Sequence, residues 1–178
     1  LGTAGRDWAP SAAAIAALGF VAAAAIWWMY FGHGLELSVD RTAGGVLVFA
    51  YAHIPLYAAL TAVGAGIALA IEDSSDPGLD AGTRWALAGG AAVYLVCLTV
   101  AQRRLALRFL ALTAQSRAVG AALLVVFAAL GGGLEPLTFT ALATGVLAGL
   151  VAFKLWSMHR AGVADEVEDA LPLPSSGD

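Results

Sequence analysis

The sequence predicts an all-α fold, a polytopic transmembrane helical bundle with five spans, and three observations carry that prediction. Stretches free of Asp, Glu, Lys and Arg recur five times, each about as long as the ~17 to 25 residues a helix needs to cross a hydrocarbon core. Hydrophobic residues make up 60% of the chain and charged residues 12%, too little polar surface for a water-soluble domain of 178 residues. Lys and Arg are also divided unevenly between alternate loops, as the positive-inside rule requires of a multi-pass protein.

The first span, residues 10–31, ends in the aromatic string Trp27-Trp28-Met29-Tyr30-Phe31. The second, 43–71, lies in the charge-free run from Thr42 to Ile71 and carries His53 near the middle of that run, in Tyr51-Ala52-His53-Ile54-Pro55. Glu72 to Asp80, with four acids, Pro77 and Gly78, reads as a solvated turn-rich connection. The third span, 85–101, opens at Trp85 and is thinned by Gly89 and Gly90. Between Arg103 and Arg117, Leu105, Phe109 and Leu112 recur at helical spacing. That stretch is expected to be either an interfacial amphipathic helix or an extension of the third helix into a turn. The fourth span, 118–134, closes on Gly131, Gly132 and Gly133, which precede no Lys-Ser/Thr and so mark a helix end rather than a phosphate loop. The fifth, 136–156, contains the small-xxx-small pair Gly145 and Gly149. Residues 1–158 are thus expected to form one transmembrane domain. Residues 159–178, with Asp165, Glu166, Glu168 and Asp169 ahead of two prolines, read as a disordered acidic tail.

Orientation follows from the basic residues. Placing the loop Gln102 to Arg117 inside puts Arg41, Arg103, Arg104, Arg108, Arg117, Lys154 and Arg160 on the cytoplasmic side and leaves only Arg6 and Arg84 outside. Trp8 and Trp85 then mark the outer headgroup level, and Trp27, Trp28 and Trp156 the inner one. Small residues predict close helix contacts along Ala58, Ala62, Gly66 and Ala70, at Gly89 and Gly90, and at Gly145 and Gly149.

Residue types exclude several chemistries. No Asp lies inside a span, no Ser lies deep in one, and no His-Glu-x-x-His occurs, so the aspartyl, serine and zinc arrangements of intramembrane proteolysis are absent. Cys97 is the only thiol and reads as a small buried hydrophobe. No metal site, cofactor, nucleic-acid contact or enzyme activity is expected. His53 is the exception in an apolar chain, because an ionisable group within a span needs a partner or a task. Tyr57 and Thr61 follow it at steps of four, giving one polar stripe that should face protein or a cavity. Pro55 cannot donate to the carbonyl of Tyr51, so a kink is expected there, of the kind transport sites use. Glu72 lies about 28 Å further along the axis and cannot pair with His53 directly. Two readings stand side by side: a transport site in which His53 relays a proton or binds substrate, and a histidine that only fastens helices.

The strings Trp27-Trp28-Met29-Tyr30-Phe31 and Tyr51-Ala52-His53-Ile54-Pro55-Leu56 are followed by a Gly-rich span ending at Ile71-Glu72 and by Gly90-Ala91-Ala92-Val93-Tyr94-Leu95. In order and spacing they resemble the C-terminal half of the bacterial low temperature requirement A family. The resemblance implies a multi-pass protein of the bacterial inner membrane, linked to growth at low temperature and without an assigned reaction. It also implies an N-terminal half, with a Glu-Leu-Phe-Phe-Asp-like helix, as partner beside the lipid bilayer. Its core polar and aromatic cluster would be Trp27, Trp28, Tyr30, His53, Pro55, Tyr57, Thr61 and Tyr94, with Tyr30 or Tyr57 bonding the imidazole and Pro55 shaping a cavity. One departure concerns the acid that the family often places directly after the Tyr-Phe pair: here the position is Gly32, and Glu36 and Asp40 come later.

Overall fold

The computed structural model describes residues 9–32, 43–102 and 108–160, and every regular element among them is helical. Five helices are long and apolar enough to cross a membrane, so the chain is a multi-pass membrane protein. Helix α1 is Pro10–Phe31 and α2 is Ala43–Glu72. Helix α3 consists of a turn Ala81–Arg84, a π-helical segment Trp85–Gly89 and an α-helix Gly90–Gln102. Helix α4 is Arg108–Leu130, followed by a 3₁₀ turn Gly131–Gly133, and α5 is Pro136–Arg160. Trp8, Arg41, the acids Glu36 and Asp40, Arg103 to Leu107 and the acidic tail from Ala161 lie outside the described residues.

Each helix packs on the next in the chain, and α5 returns to α1, so the bundle closes as a ring. Half of the apolar window of α3 is buried but only 28% of that of α2, which makes α3 the most covered of the five helices and α2 the least. Tyr94, Leu95, Leu98, Leu124, Phe139 and Leu147 fill the centre. Phe20, Ile54, Val119 and Leu130 point out, as expected where the surroundings are lipid and outward apolar side chains cost nothing.

Two boundaries differ from the sequence expectation. Helix α3 starts at Ala81 because the Asp80 carboxylate caps it, accepting from the Gly82 N–H at 2.5 Å, the Thr83 N–H at 3.3 Å and the Thr83 hydroxyl at 2.6 Å. The Thr83 hydroxyl bond, then the Gly82 bond, holds that carboxyl below the usual carboxylate range. Arg108 to Arg117 is neither a separate interfacial helix nor an extension of the third span: it is the first part of α4. Helix propensity does not stop at the membrane surface, and Arg and Leu are good helix formers in either medium.

Close packing follows the expected small residues on α2 and α3 but not those on α5. A Cβ on Gly66 would lie 2.5 Å from the Leu87 backbone nitrogen, and one on Gly90 would lie 3.1 Å from the Ala59 carbonyl, so α2 and α3 approach backbone to backbone. Gly120 similarly admits Leu150 of α5. Gly145 and Gly149 meet nothing within 4 Å, which corrects the expectation of a close crossing there. On α2 the contacting face is Ala59, Val63, Gly66 and Ala70, whereas Ala58 is exposed.

Candidate functional site

The site begins with how α1 and α2 diverge. At the end nearer the acidic loop they touch, since a Cβ on Gly19 would lie 2.8 Å from Ile67 Cγ2. At the other end the Tyr30 hydroxyl and His53 Nε2 are hydrogen-bonded at 2.7 Å. Between these two contacts the helices part and enclose a cavity of about 430 Å³. Its floor is Ile26, Leu56, Val63 and Tyr94, and its rims are Ala23, Trp27 and Phe31 on α1 and Tyr57, Leu60 and Gly64 on α2.

The Tyr30 and His53 rings meet edge to face, 5.9 Å between centroids at 85°, and the Tyr57 ring lies 5.8 Å from the imidazole. Tyr94 is fully buried and its hydroxyl donates to the Ile26 carbonyl at 2.7 Å, tying α3 to the cavity floor. The structure thus brings Tyr30, His53, Tyr57, Trp27 and Tyr94 to one place. It leaves three expected members aside. Trp28 is 40% exposed and touches Trp27, 6.4 Å between centroids, on the outward side. The Thr61 hydroxyl donates to its own helix, to the Tyr57 carbonyl at 3.0 Å. Pro55 is exposed, and α2 runs through it as one helix without interruption. The irregular backbone is in α3, at Trp85–Gly89.

His53 is also shallower than its place in the charge-free run suggested. It pairs with Tyr30, the penultimate residue of α1, so it lies level with the end of that helix. Helix α2 continues about 15 Å past that level, which is why counting along its run misjudges the depth.

Two cations on the same end escaped the sequence reading. Lys154 is 6% exposed, and its ammonium donates to the Gly32 carbonyl at 3.0 Å, the free acceptor at the C-terminus of α1. A cation there satisfies an orphan carbonyl and complements the helix dipole. Arg117 is 3% exposed on α4, beside a notch of about 100 Å³ that it shares with Leu95 and Thr99, and Tyr94 and Lys154 both feel its charge. The signal for Lys154 was its position inside the fifth predicted span. For Arg117 the sequence held none, since burial there depends on α3 packing against α4. No three His, Cys, Asp or Glu side chains cluster among the described residues.

A family model described as bacterial low temperature requirement A protein matches residues 1–152. No curated protein and no solved structure matches the chain.

Proposed function

Because the chain belongs to the bacterial low temperature requirement A family and folds as a multi-pass membrane bundle, we propose that it is the ligand-handling part of a transporter, without catalytic chemistry of its own. His53 is its proton- or substrate-handling group. In this reading the bundle sits in the bacterial inner membrane with the end bearing Arg117 and Lys154 toward the cytoplasm, as the basic residues favour.

The observation that carries the proposal is the Tyr30–His53 bond at the end of an apolar cavity. With a neutral ring protonated on Nδ1, the phenol donates to Nε2; once Nε2 gains a proton it must donate, and the phenol turns to accept. Taking up a proton therefore reverses which residue donates in the Tyr30–His53 bond beside the cavity. Exchange of donor and acceptor across that contact gives the site two states that differ by one proton, which is the kind of bistable element transport needs.

Flux and stability measured together test this. His53→Ala and His53→Gln, reconstituted in proteoliposomes, should both lose proton-linked flux, since neither side chain titrates, while retaining the fold in detergent. Full flux in either variant rejects the relay. The same bond also favours a second reading, because it is what joins α1 to α2 at this end. A purely fastening histidine contributes on the order of 1 kcal/mol. In that case Gln restores stability where Ala loses it, and flux follows stability.

A further inference from the structure

The end of the bundle opposite His53 holds a seated cation, Arg84. Its guanidinium lies on the 3₁₀ turn after α4, where a Cβ on Gly132 would collide with Nη1 and stand 3.2 Å from Cζ. Gly132 also receives the acidic loop, since a Cβ on Gly78 would lie 2.8 Å from its carbonyl oxygen. Asp80 precedes Arg84 by four residues, a spacing that suits an ion pair on a helix. Arg84 forms none among the described residues, and its Nε is the one side-chain nitrogen or oxygen among them that is covered without a hydrogen-bond partner. Nη1 and Nη2 are therefore what the seat leaves open, on a side chain that is half-buried.

Level and surroundings decide what meets them. Leu130, the last residue of α4, is 79% exposed, and Trp85, directly after Arg84, is 48% exposed. Outward apolar side chains look at lipid and an outward tryptophan marks the headgroup level, so the guanidinium sits where lipid phosphates lie. Two N–H donors in a rigid fork match two phosphate oxygens. The neighbours are acids: Asp80 feels the charge of Arg84, Asp76 stands two residues before Gly78, and Glu135 stands three after Gly132. Carboxylates so placed repel a lipid of net negative charge and attract one that also carries an ammonium. We propose that Arg84, seated on Gly132, binds the phosphate of a zwitterionic phospholipid, phosphatidylethanolamine, with the lipid's ammonium among these carboxylates. The site is independent of His53 and of any flux.

The test is native mass spectrometry of the full chain, delipidated in detergent and titrated separately with dioleoyl phosphatidylethanolamine, dioleoyl phosphatidylglycerol and dioleoylglycerol. The expected result is a saturable phosphatidylethanolamine adduct that forms at lower concentration than the phosphatidylglycerol adduct, and none with dioleoylglycerol, which has no phosphate. Arg84→Gln should weaken that adduct by about tenfold, the size of one charge-assisted hydrogen bond. Gly132→Ala should weaken it as much with Arg84 still present, because the added Cβ takes the seat, whereas a Cβ on Gly133 meets nothing within 4 Å and Gly133→Ala should leave it unchanged. Equal saturation in wild type and Arg84→Gln overturns the site, and that pair decides even where Gly132→Ala fails to fold. Equal or tighter binding of phosphatidylglycerol overturns the zwitterionic assignment. Displacement of phosphatidylethanolamine by inorganic phosphate makes the ligand a free anion and overturns the lipid assignment.

Discussion

Helix α2 meets its two neighbours in opposite ways. Toward α3 it presents Ala59, Val63 and Gly66, and the backbones come so close that Gly66 has no room for a Cβ. Toward α1 it is joined at Ile67 and at His53 and leaves a slot between them. Gly64 and Gly66 stand two residues apart on this helix, one facing open space and the other pressed on the Leu87 backbone. Small residues permit close approach; they do not say which neighbour takes it up. The tight face fixes α2 on the bundle, and the loose face is where the protein has freedom to hold something or to move.

The largest effect should come from filling the tight face. Gly66→Leu drives a branched side chain into the Leu87 backbone, which side-chain rotation cannot relieve, and should cost about 3 kcal/mol or more. Gly64→Leu should change stability by no more than about 0.5 kcal/mol, since its side chain enters empty space. Thermal unfolding of the two variants in the same detergent makes the comparison, and equal melting temperatures would erase the distinction between the faces.

The loose face depends on what anchors its ends, and at the basic end α1 is held by Lys154 as well as by Tyr30. Lys154→Met removes the bond to the Gly32 carbonyl. Charge-assisted bonds are worth about 1.5–3 kcal/mol, partly offset because an ammonium no longer has to be buried, so a net loss of about 1 kcal/mol is expected. Hydrogen exchange should rise selectively in the last turn of α1. A uniform rise across the bundle would mean that Lys154 supports the whole fold rather than this helix end.

The sequence made the five spans legible because long apolar runs have one solution in a bilayer. That His53 would bond a tyrosine was expected too, since a histidine among apolar residues must find a polar partner, but Tyr30 and Tyr57 stood as equal choices and only the packing of α1 on α2 selects Tyr30. Lys154 and Arg117 were not. Near the end of a span, a cation that snorkels to water and one that turns inward have the same local sequence, and only the packing of α5 on α1 and of α4 on α3 separates them. The start of α4 was misplaced for a related reason: arginines mark where the membrane ends, whereas the helix ends where its backbone bonds do. Pro55 lies inside the uninterrupted run of α2, while the wide turn formed in α3, where α2 crosses Gly66 over Leu87, and no residue type in the sequence marked that place.

A smaller and pH-dependent effect is expected at the opposite end, where Asp80 caps α3. Its carboxyl is held below the ordinary range by bonds from Thr83 and Gly82. A depressed value in the folded state means the contribution is present above the unfolded carboxylate range and is lost as pH falls through the folded value. Asp80→Ala should therefore be less stable than wild type at neutral pH, and the two should converge in acid. Asp80→Asn keeps an acceptor for the cap and should show no such convergence. Parallel curves for wild type and Asp80→Ala would mean that the cap contributes nothing that depends on charge.

The smallest effect concerns the face that looked most like a contact. Gly145 and Gly149 have the spacing of a close helix crossing, yet within this bundle a Cβ at either meets nothing within 4 Å. Leu at position 149 then only exchanges lipid contact for lipid contact, and Gly→Leu gains helix propensity of up to about 1 kcal/mol in water and less in a bilayer, where no exposed backbone competes for solvent. Gly149→Leu should thus leave melting in detergent unchanged or slightly raised. If instead it falls by more than about 1 kcal/mol, the loss has the size expected when a packed helix is forced away, and another helix covers this side of α5. The same measurement on Gly66→Leu gives the scale, since there the crossing partner is already known to be α3.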